Sequence, residues 1–153
     1  MGLDMELRIV WTVTDDDGDE WECTAYGFEW RKANAIHGWF VSNVCGGTCE
    51  NNVWYDVSRE QLAELGRTCR RVLDGSKIAS RTVTGLRGRP MELRYIEDTE
   101  LAESLMPTKS GFFFGSTEYG FMYIQDLERT VMAVEELLDE TPPQVTFEYM
   151  ASW

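Results

Sequence analysis

The sequence predicts an α+β fold: an antiparallel β-sheet, built from an N-terminal hairpin, a central arm and a C-terminal strand, packed by about three α-helices. Three observations carry this expectation. Asp17-Gly18 lies between two β-rich runs, a strong short-range hairpin signal. Ile124, Leu127, Val131, Val134 and Leu138 repeat at the helical period. Val145, Phe147 and Tyr149 alternate, as on a half-buried strand.

The hairpin pairs Leu7 to Thr14 with Glu20 to Phe28. A two-residue turn at Asp17-Gly18 sets Thr14 against Trp21 and Thr12 against Cys23, and puts Leu7, Ile9, Trp11 and Val13 on the core side with Tyr26 and Phe28. The run Asp15 to Glu20 resembles part of a calcium loop, but its glycine falls too early and no closing glutamate follows, so it reads as a solvated turn. Trp30 to Val44 reads as the first helix, with Ala33, Ile36, Phe40 and Val44 inward and Cys45-Gly46-Gly47 as its stop. Val53 to Val57 is a short extended run. Ser58-Arg-Glu-Gln61 is a capping box, so the second helix starts there and runs to about Asp74, burying Leu62, Leu65, Cys69 and Val72 or Leu73. Ala79 to Thr84 and Met91 to Ile96 form an arm joined by Gly85 to Pro90, and Thr99 to Leu105 is a short helix stopped before Pro107. Phe112 to Phe114, between Gly111 and Gly115, reads as a short buried strand, with Ser116 and Thr117 as N-caps for the helix Tyr119 to Asp139. Pro142-Pro143 ends that helix, and Gln144 to Met150 closes the sheet.

The 153 residues suit one domain over 1–153. A hydrophobic content of 43% with six Trp excludes disorder, and no run approaches the ~18 apolar residues of a membrane span. The first residues lack the basic and apolar regions of a signal peptide, so the expected location is cytoplasmic. Cys23, Cys45, Cys49 and Cys69 are too few for a disulfide scaffold and read as reduced thiols. The net charge of −13 is unevenly spread. Arg67 to Arg94 holds eight Lys or Arg against Asp74 and Glu92, which makes that stretch +6 and the remainder −19. Overall acidity argues against direct binding of duplex DNA. The basic stretch reads as paired internally with the acidic remainder. The six Trp exceed what one small core must hold, which leaves room for an interface and a homo-oligomer.

Chemistry-bearing patterns are sparse. Cys45 and Cys49 have a spacing that suits zinc, with His37, Cys23 or Cys69 to complete a set, but no second tidy pair exists and no metal or cofactor is expected. His37 is the single histidine and reads as a surface or partly buried polar residue. It lies two helical turns from Cys45, too far for a Cys–His dyad. No Gly-x-Ser-x-Gly elbow is present, and Glu135, Glu136, Asp139 and Glu140 read as a solvated helix face. An enzyme is therefore the least favoured class. The best ligand candidate is an anion site at the N-terminus of the last helix. Lys109, Ser110, Ser116, Thr117 and Glu118 supply it, joined by Arg31, Lys32, Asn34 and His37 from the first helix. Its ligand would be a nucleotide or other phosphorylated small molecule.

Four segments carry a resemblance: Phe28 to Val41 (FEWRKANAIHGWFV), Val57 to Leu62, Leu105 to Tyr119 (LMPTKSGFFFGSTEY) and the final Ala151-Ser152-Trp153. Together they resemble a family of small uncharacterised proteins encoded by bacteriophages and prophages. The resemblance spans about half the chain and omits the basic arm and the Asp-rich hairpin. It implies an origin rather than a mechanism. By analogy with small phage proteins that lack catalytic residues, it implies an accessory factor in the host cytoplasm that binds and neutralises a host factor, including a component of host defence. The acidic exterior would orient such binding. The alternative expectation is a binder that sequesters a phosphorylated signalling ligand.

Overall fold

The computed structural model describes residues 2–153 and has the α+β architecture that the sequence predicts. In chain order the elements are β1 (Asp4–Thr14), β2 (Glu20–Arg31), α1 (Asn34–Asn43), β3 (Tyr55–Val57), α2 (Arg59–Gly75), β4 (Ile78–Thr84), β5 (Pro90–Ile96), α3 (Glu100–Leu105), α4 (Phe121–Glu140) and β6 (Thr146–Ser152). A single 3₁₀ turn, Leu86–Gly88, joins β4 to β5. The main sheet is antiparallel with the order β2-β1-β6-β3. The arm does not extend it. β4 and β5 pair only with each other, as a second, two-stranded sheet.

One face of the main sheet is apolar because β1 and β6 alternate. Leu3, Met5 and Leu7, with Phe147, Tyr149 and Ala151, are buried against the helices. The opposite face carries the cross-strand pair Arg8–Glu148, and the Arg8 guanidinium lies 3.9 Å from the Trp54 ring centroid. At the centre, Phe40 of α1 stacks on Tyr149 with ring centroids 3.8 Å apart. Trp30 donates to the Thr130 hydroxyl of α4 at 2.8 Å in the interior. α2 begins at the expected capping box, with Gln61 N donating to Ser58 Oγ and Ser58 N donating to Gln61 Oε1. α2 and α4 come close where Gly66 meets Val134, since a Cβ on Gly66 would lie 2.9 Å from Val134 Cγ1. The C-terminal end of α4 is capped by Arg59, whose guanidinium donates to Leu138 O and Thr141 Oγ1, both at 2.8 Å.

Several local expectations are corrected. The β1–β2 connection is five residues long and pairs Thr14 with Glu20 and Thr12 with Glu22, one residue away from the predicted register. The cause is Asp15. Its carboxylate accepts from the amides of Asp17 and Asp19 and from Trp21 Nε1, which builds a wider turn than Asp-Gly alone. The Trp21 indole and the turn amides hold the Asp15 carboxyl below its ordinary range. A bulge then places Gly27 opposite no residue, where a side chain would strike Leu7 O. Phe28 thus faces the core beside Leu7, while Tyr26 pairs with Arg8 and is exposed, not buried. Val13 is exposed too, because the distal hairpin has no layer over it. β2 continues through Trp30 and Arg31, so the first helix starts only at Asn34. Cys45 and Cys49 form a disulfide instead of remaining free, since the Gly46-Gly47 turn brings their Cα atoms within 5.1 Å. Cys23 and Cys69 are free, and burial pushes the Cys69 thiol up to about 12. The described residues hold no cluster of three potential metal ligands, and no helix is long and apolar enough to cross a membrane.

The expected internal pairing of the basic stretch holds for four of its eight cations, while Arg71, Arg81, Arg87 and Arg89 are in no ion pair among the described residues. Arg67 pairs with Glu60 and Glu64, Arg70 with Glu135, Lys77 with Glu97 and Arg94 with Glu128.

Candidate functional site: a pinned aromatic loop and the cavities around it

The segment between α3 and α4, residues 107–119, is a closed loop and not the buried strand expected of three consecutive phenylalanines. Its neck is tied across: Thr108 Oγ1 donates to Thr117 O at 3.0 Å, and Thr108 N donates to Tyr119 OH at 3.2 Å. Its flank is clamped by one buried side chain, Asn34 in the first turn of α1. Asn34 Nδ2 donates to Phe114 O at 3.1 Å and Ser116 O at 2.8 Å, and Asn34 Oδ1 accepts from Lys109 N at 2.9 Å. All three Asn34 contacts fall on loop backbone, so one amide fixes both limbs.

The phenylalanines divide. Phe114 is buried, 6% exposed, and its ring packs so close to Gly111 that a Cβ there would lie 2.5 Å away. Phe112 is 78% and Phe113 47% exposed, with ring centroids 4.1 Å apart. Phe113 holds φ at 60°, a conformation that L side chains avoid, and Gly115 follows at 90°. The left-handed step turns the two rings outward. It is held by the bond from Leu3 N to Phe113 O at 3.4 Å and by the Asn34 clamp. Ser116 and Thr117 do not cap α4, whose N-cap is Gly120. Ser116 Oγ instead accepts from Glu118 N at 3.1 Å within the loop.

His37 sits one helical turn after Asn34 and is fully buried, at 2% exposure, a correction to the surface or partly buried position expected of it. Its Nδ1 shares a hydrogen bond of 2.7 Å with Tyr149 OH, and its ring meets Phe114 and Trp153 edge-on. Burial, with the Lys109 charge as a lesser cause, lowers its pKa to about 4, so it is neutral near pH 7. Its partner Tyr149 is held well above the ordinary phenol range by burial and stays protonated.

The expected ligand residues do not converge on one hollow. His37, Lys109 and Ser110 line an open cavity of about 350 Å³ walled by Phe112, Phe114 and Trp153. Lys32, Asn34 and Ser116 line a smaller one of about 120 Å³, together with Asp126 of α4. Arg31 lies at a third, paired with Asp4 at 3.1 Å. Thr117 and Glu118 are exposed on the loop's outer limb. The 120 Å³ space is below the size of ordinary ligand sites, and Asp126 puts a carboxyl where a phosphate would have to sit. Burial pushes that carboxyl up to about 6, against the pull of Arg129. The 350 Å³ cavity is of ligand size, but it offers one cation, Lys109, and mostly aromatic walls. Sequence reading missed Asp126, which interrupts the α4 stripe between Tyr123 and Leu127. It also missed the Tyr149 partner of His37, which lies 112 residues away and leaves no local signal.

Comparison of the chain with protein-family models, with curated proteins and with solved structures found no match.

Proposed function

We propose that this chain is a non-enzymatic accessory protein that docks on a protein partner through the 107–119 loop. The single observation that supports this reading is the exposure of Phe112 and Phe113 on a loop that is held rigidly from beneath. Exposed aromatics on a pre-ordered segment are what a binding hot spot needs. They bury large apolar area on contact, and little entropy remains to be lost. The 350 Å³ cavity behind Phe112 would receive a side chain from the partner. The resemblance of residues 28–41 and 105–119 to phage and prophage proteins supports a host factor, such as a component of host defence, as the partner, and the net charge of −13 would steer encounter with a basic surface. The test is capture from host lysate by the wild type and by a Phe112→Ser/Phe113→Ser variant, at low and high salt. A partner held by the wild type and lost by the variant is expected. A partner held equally by both, or none at either salt, refutes the reading.

A second reading, sequestration of a phosphorylated small molecule such as a nucleotide, is favoured by one feature: Lys109 and Ser110 at the rim of that same aromatic-walled cavity. Nucleotides that bind there would raise the melting temperature of the wild type and not of Lys109→Ala.

A further inference from the structure

Two β-ribbons leave the body of the molecule, and they carry opposite charge. Beyond Val10, β1 no longer has β6 beside it, so the pairs from Trp11↔Cys23 to Thr14↔Glu20 stand alone. From Thr12 to Ala25 there is no Lys or Arg, while Asp16, Asp17, Asp19, Glu20 and Glu22 are exposed. The β4–β5 arm is the inverse. Beyond the Ser80↔Arg94 pair it carries Arg81, Arg87 and Arg89, all exposed, against one carboxylate, Glu92, which accepts from Thr82 Oγ1. Among the described residues, none of these eight charged side chains is in an ion pair. Nearer the body, Arg70, Lys77 and Arg94 all find carboxylates. Apart from Arg71 on α2, the unpaired cations of the basic stretch among the described residues thus lie along the arm.

Each ribbon also exposes apolar side chains toward its tip, although Trp11 at the base of the hairpin packs against the core. Val13 lies directly opposite Trp21, and Trp11 opposite Cys23, so these share a side; the Trp21 ring is 58% exposed although its indole N–H is bonded to Asp15. On the arm, Val83 lies opposite Met91 and Arg81 opposite Leu93, and Leu86 at the tip is 91% exposed. A two-stranded ribbon with an uncovered apolar face is marginal alone. The covering surface of opposite charge exists on the same polypeptide, but on the other ribbon.

We infer that two copies of this chain associate reciprocally, the acidic ribbon of each lying against the basic arm of the other. Trp21 and Val13 meet Val83 and Met91, and Asp16, Asp17 and Asp19 meet Arg87 and Arg89. The contact is used twice about a two-fold axis, which closes the assembly at a dimer.

Charge exchange with sedimentation velocity tests this. The measurement runs at ~0.15 M salt, where a Debye length of about 8 Å screens the net repulsion of two acidic chains and spares pairs in contact. The wild type should sediment at twice 17.6 kDa over a micromolar concentration series and fall toward monomer at ~1 M salt. Arg81→Glu/Arg87→Glu/Arg89→Glu should be monomeric. Asp16→Lys/Asp17→Lys/Asp19→Lys should also be monomeric, although it lowers the net negative charge; a general-repulsion account predicts that this variant associates more. An equimolar mixture of the two variants should restore the dimer, since every ribbon then faces its opposite. Circular dichroism confirms that each variant is folded. A wild type that is monomeric throughout, an acidic-ribbon variant that associates more strongly, or a mixture that stays monomeric overturns the inference.

Discussion

Replacing Asn34 by alanine removes the clamp on the aromatic loop and measures what the clamp contributes. The side chain is 4% exposed and makes three hydrogen bonds, to the backbones of Lys109, Phe114 and Ser116. Each bond contributes a net ~0.5–1.5 kcal/mol, and each backbone group left buried without a partner costs ~1–3 kcal/mol. If the loop stayed shut, three backbone groups without partners would cost roughly 3–9 kcal/mol. The loop has a cheaper response, which is to lift and hydrate the three groups at the expense of Phe114 burial. Burial of a phenylalanine side chain stabilises by ~1.5–3 kcal/mol, so the expected destabilisation is about 2–4 kcal/mol. Asn34→Asp keeps the shape but aims a carboxylate at two carbonyls, and should cost at least as much at pH 7. Urea unfolding gives the total, and native-state hydrogen exchange locates it. Amide protection should fall at Lys109 and Phe114 and persist in β1 and β6. Asn34→Ala within ~0.5 kcal/mol of wild type, with loop protection unchanged, would show that the loop does not depend on this amide.

His37 and Asp126 predict opposed pH effects. His37 has a folded pKa of about 4 against 6.5, so the unfolded chain binds its proton first and stability falls as pH drops from 6.5 to 4. Asp126 has a folded pKa of about 6 against 3.8, so its contribution is present at low pH and is lost as pH rises through 6. Urea midpoints from pH 4 to 7 should therefore decline more steeply on acidification in Asp126→Asn and less steeply in His37→Gln; identical slopes in both variants would contradict these assignments. Gly66→Ala drives a methyl group against Val134 and should destabilise by ~1–3 kcal/mol in thermal or urea unfolding, with relief from Val134→Ala in the same chain. Opening the disulfide with Cys45→Ser/Cys49→Ser releases a loop of only a few residues, whose closure contributes up to ~2 kcal/mol by chain entropy, so a loss within that bound is expected. Phe114→Ala should cost ~3–5 kcal/mol while Phe112→Ala should stay within ~0.5, a contrast that urea unfolding reads directly.

What could be read in the chain was local. Ser58 and Gln61 announce the start of α2 because both halves of the capping box lie within one turn. Val145, Phe147 and Tyr149 announce a strand because alternation is written in adjacent residues. The misreadings share a different cause. Phe112 to Phe114 read as buried because composition does not reveal that Asn34, far away in sequence, holds the run as a loop and turns two of the rings outward. The hairpin register was displaced because the Asp15 side chain, not the Asp-Gly pair, sets the turn. Tyr26 changed faces because one glycine bulges. His37 reads as a surface or partly buried residue because its partner, Tyr149, comes from the last strand. The expected site residues cluster in two stretches of sequence, but their dispersal over three cavities and the loop's outer limb is tertiary and has no counterpart in spacing.

The position of β6 between β1 and β3 has a consequence for how the chain acquires its shape. The strand translated after every other element of this sheet is the one that joins its two parts, so residues near both ends must meet before either part is secure. A nascent chain still lacking residues 146–152 leaves β1 with one bare edge and Phe40 without the ring it stacks on. Folding is therefore expected to wait for synthesis of that strand and to proceed slowly for a chain of this size, as distant pairings do. Premature termination just before Thr146 should yield insoluble product, even though every helix has by then been made.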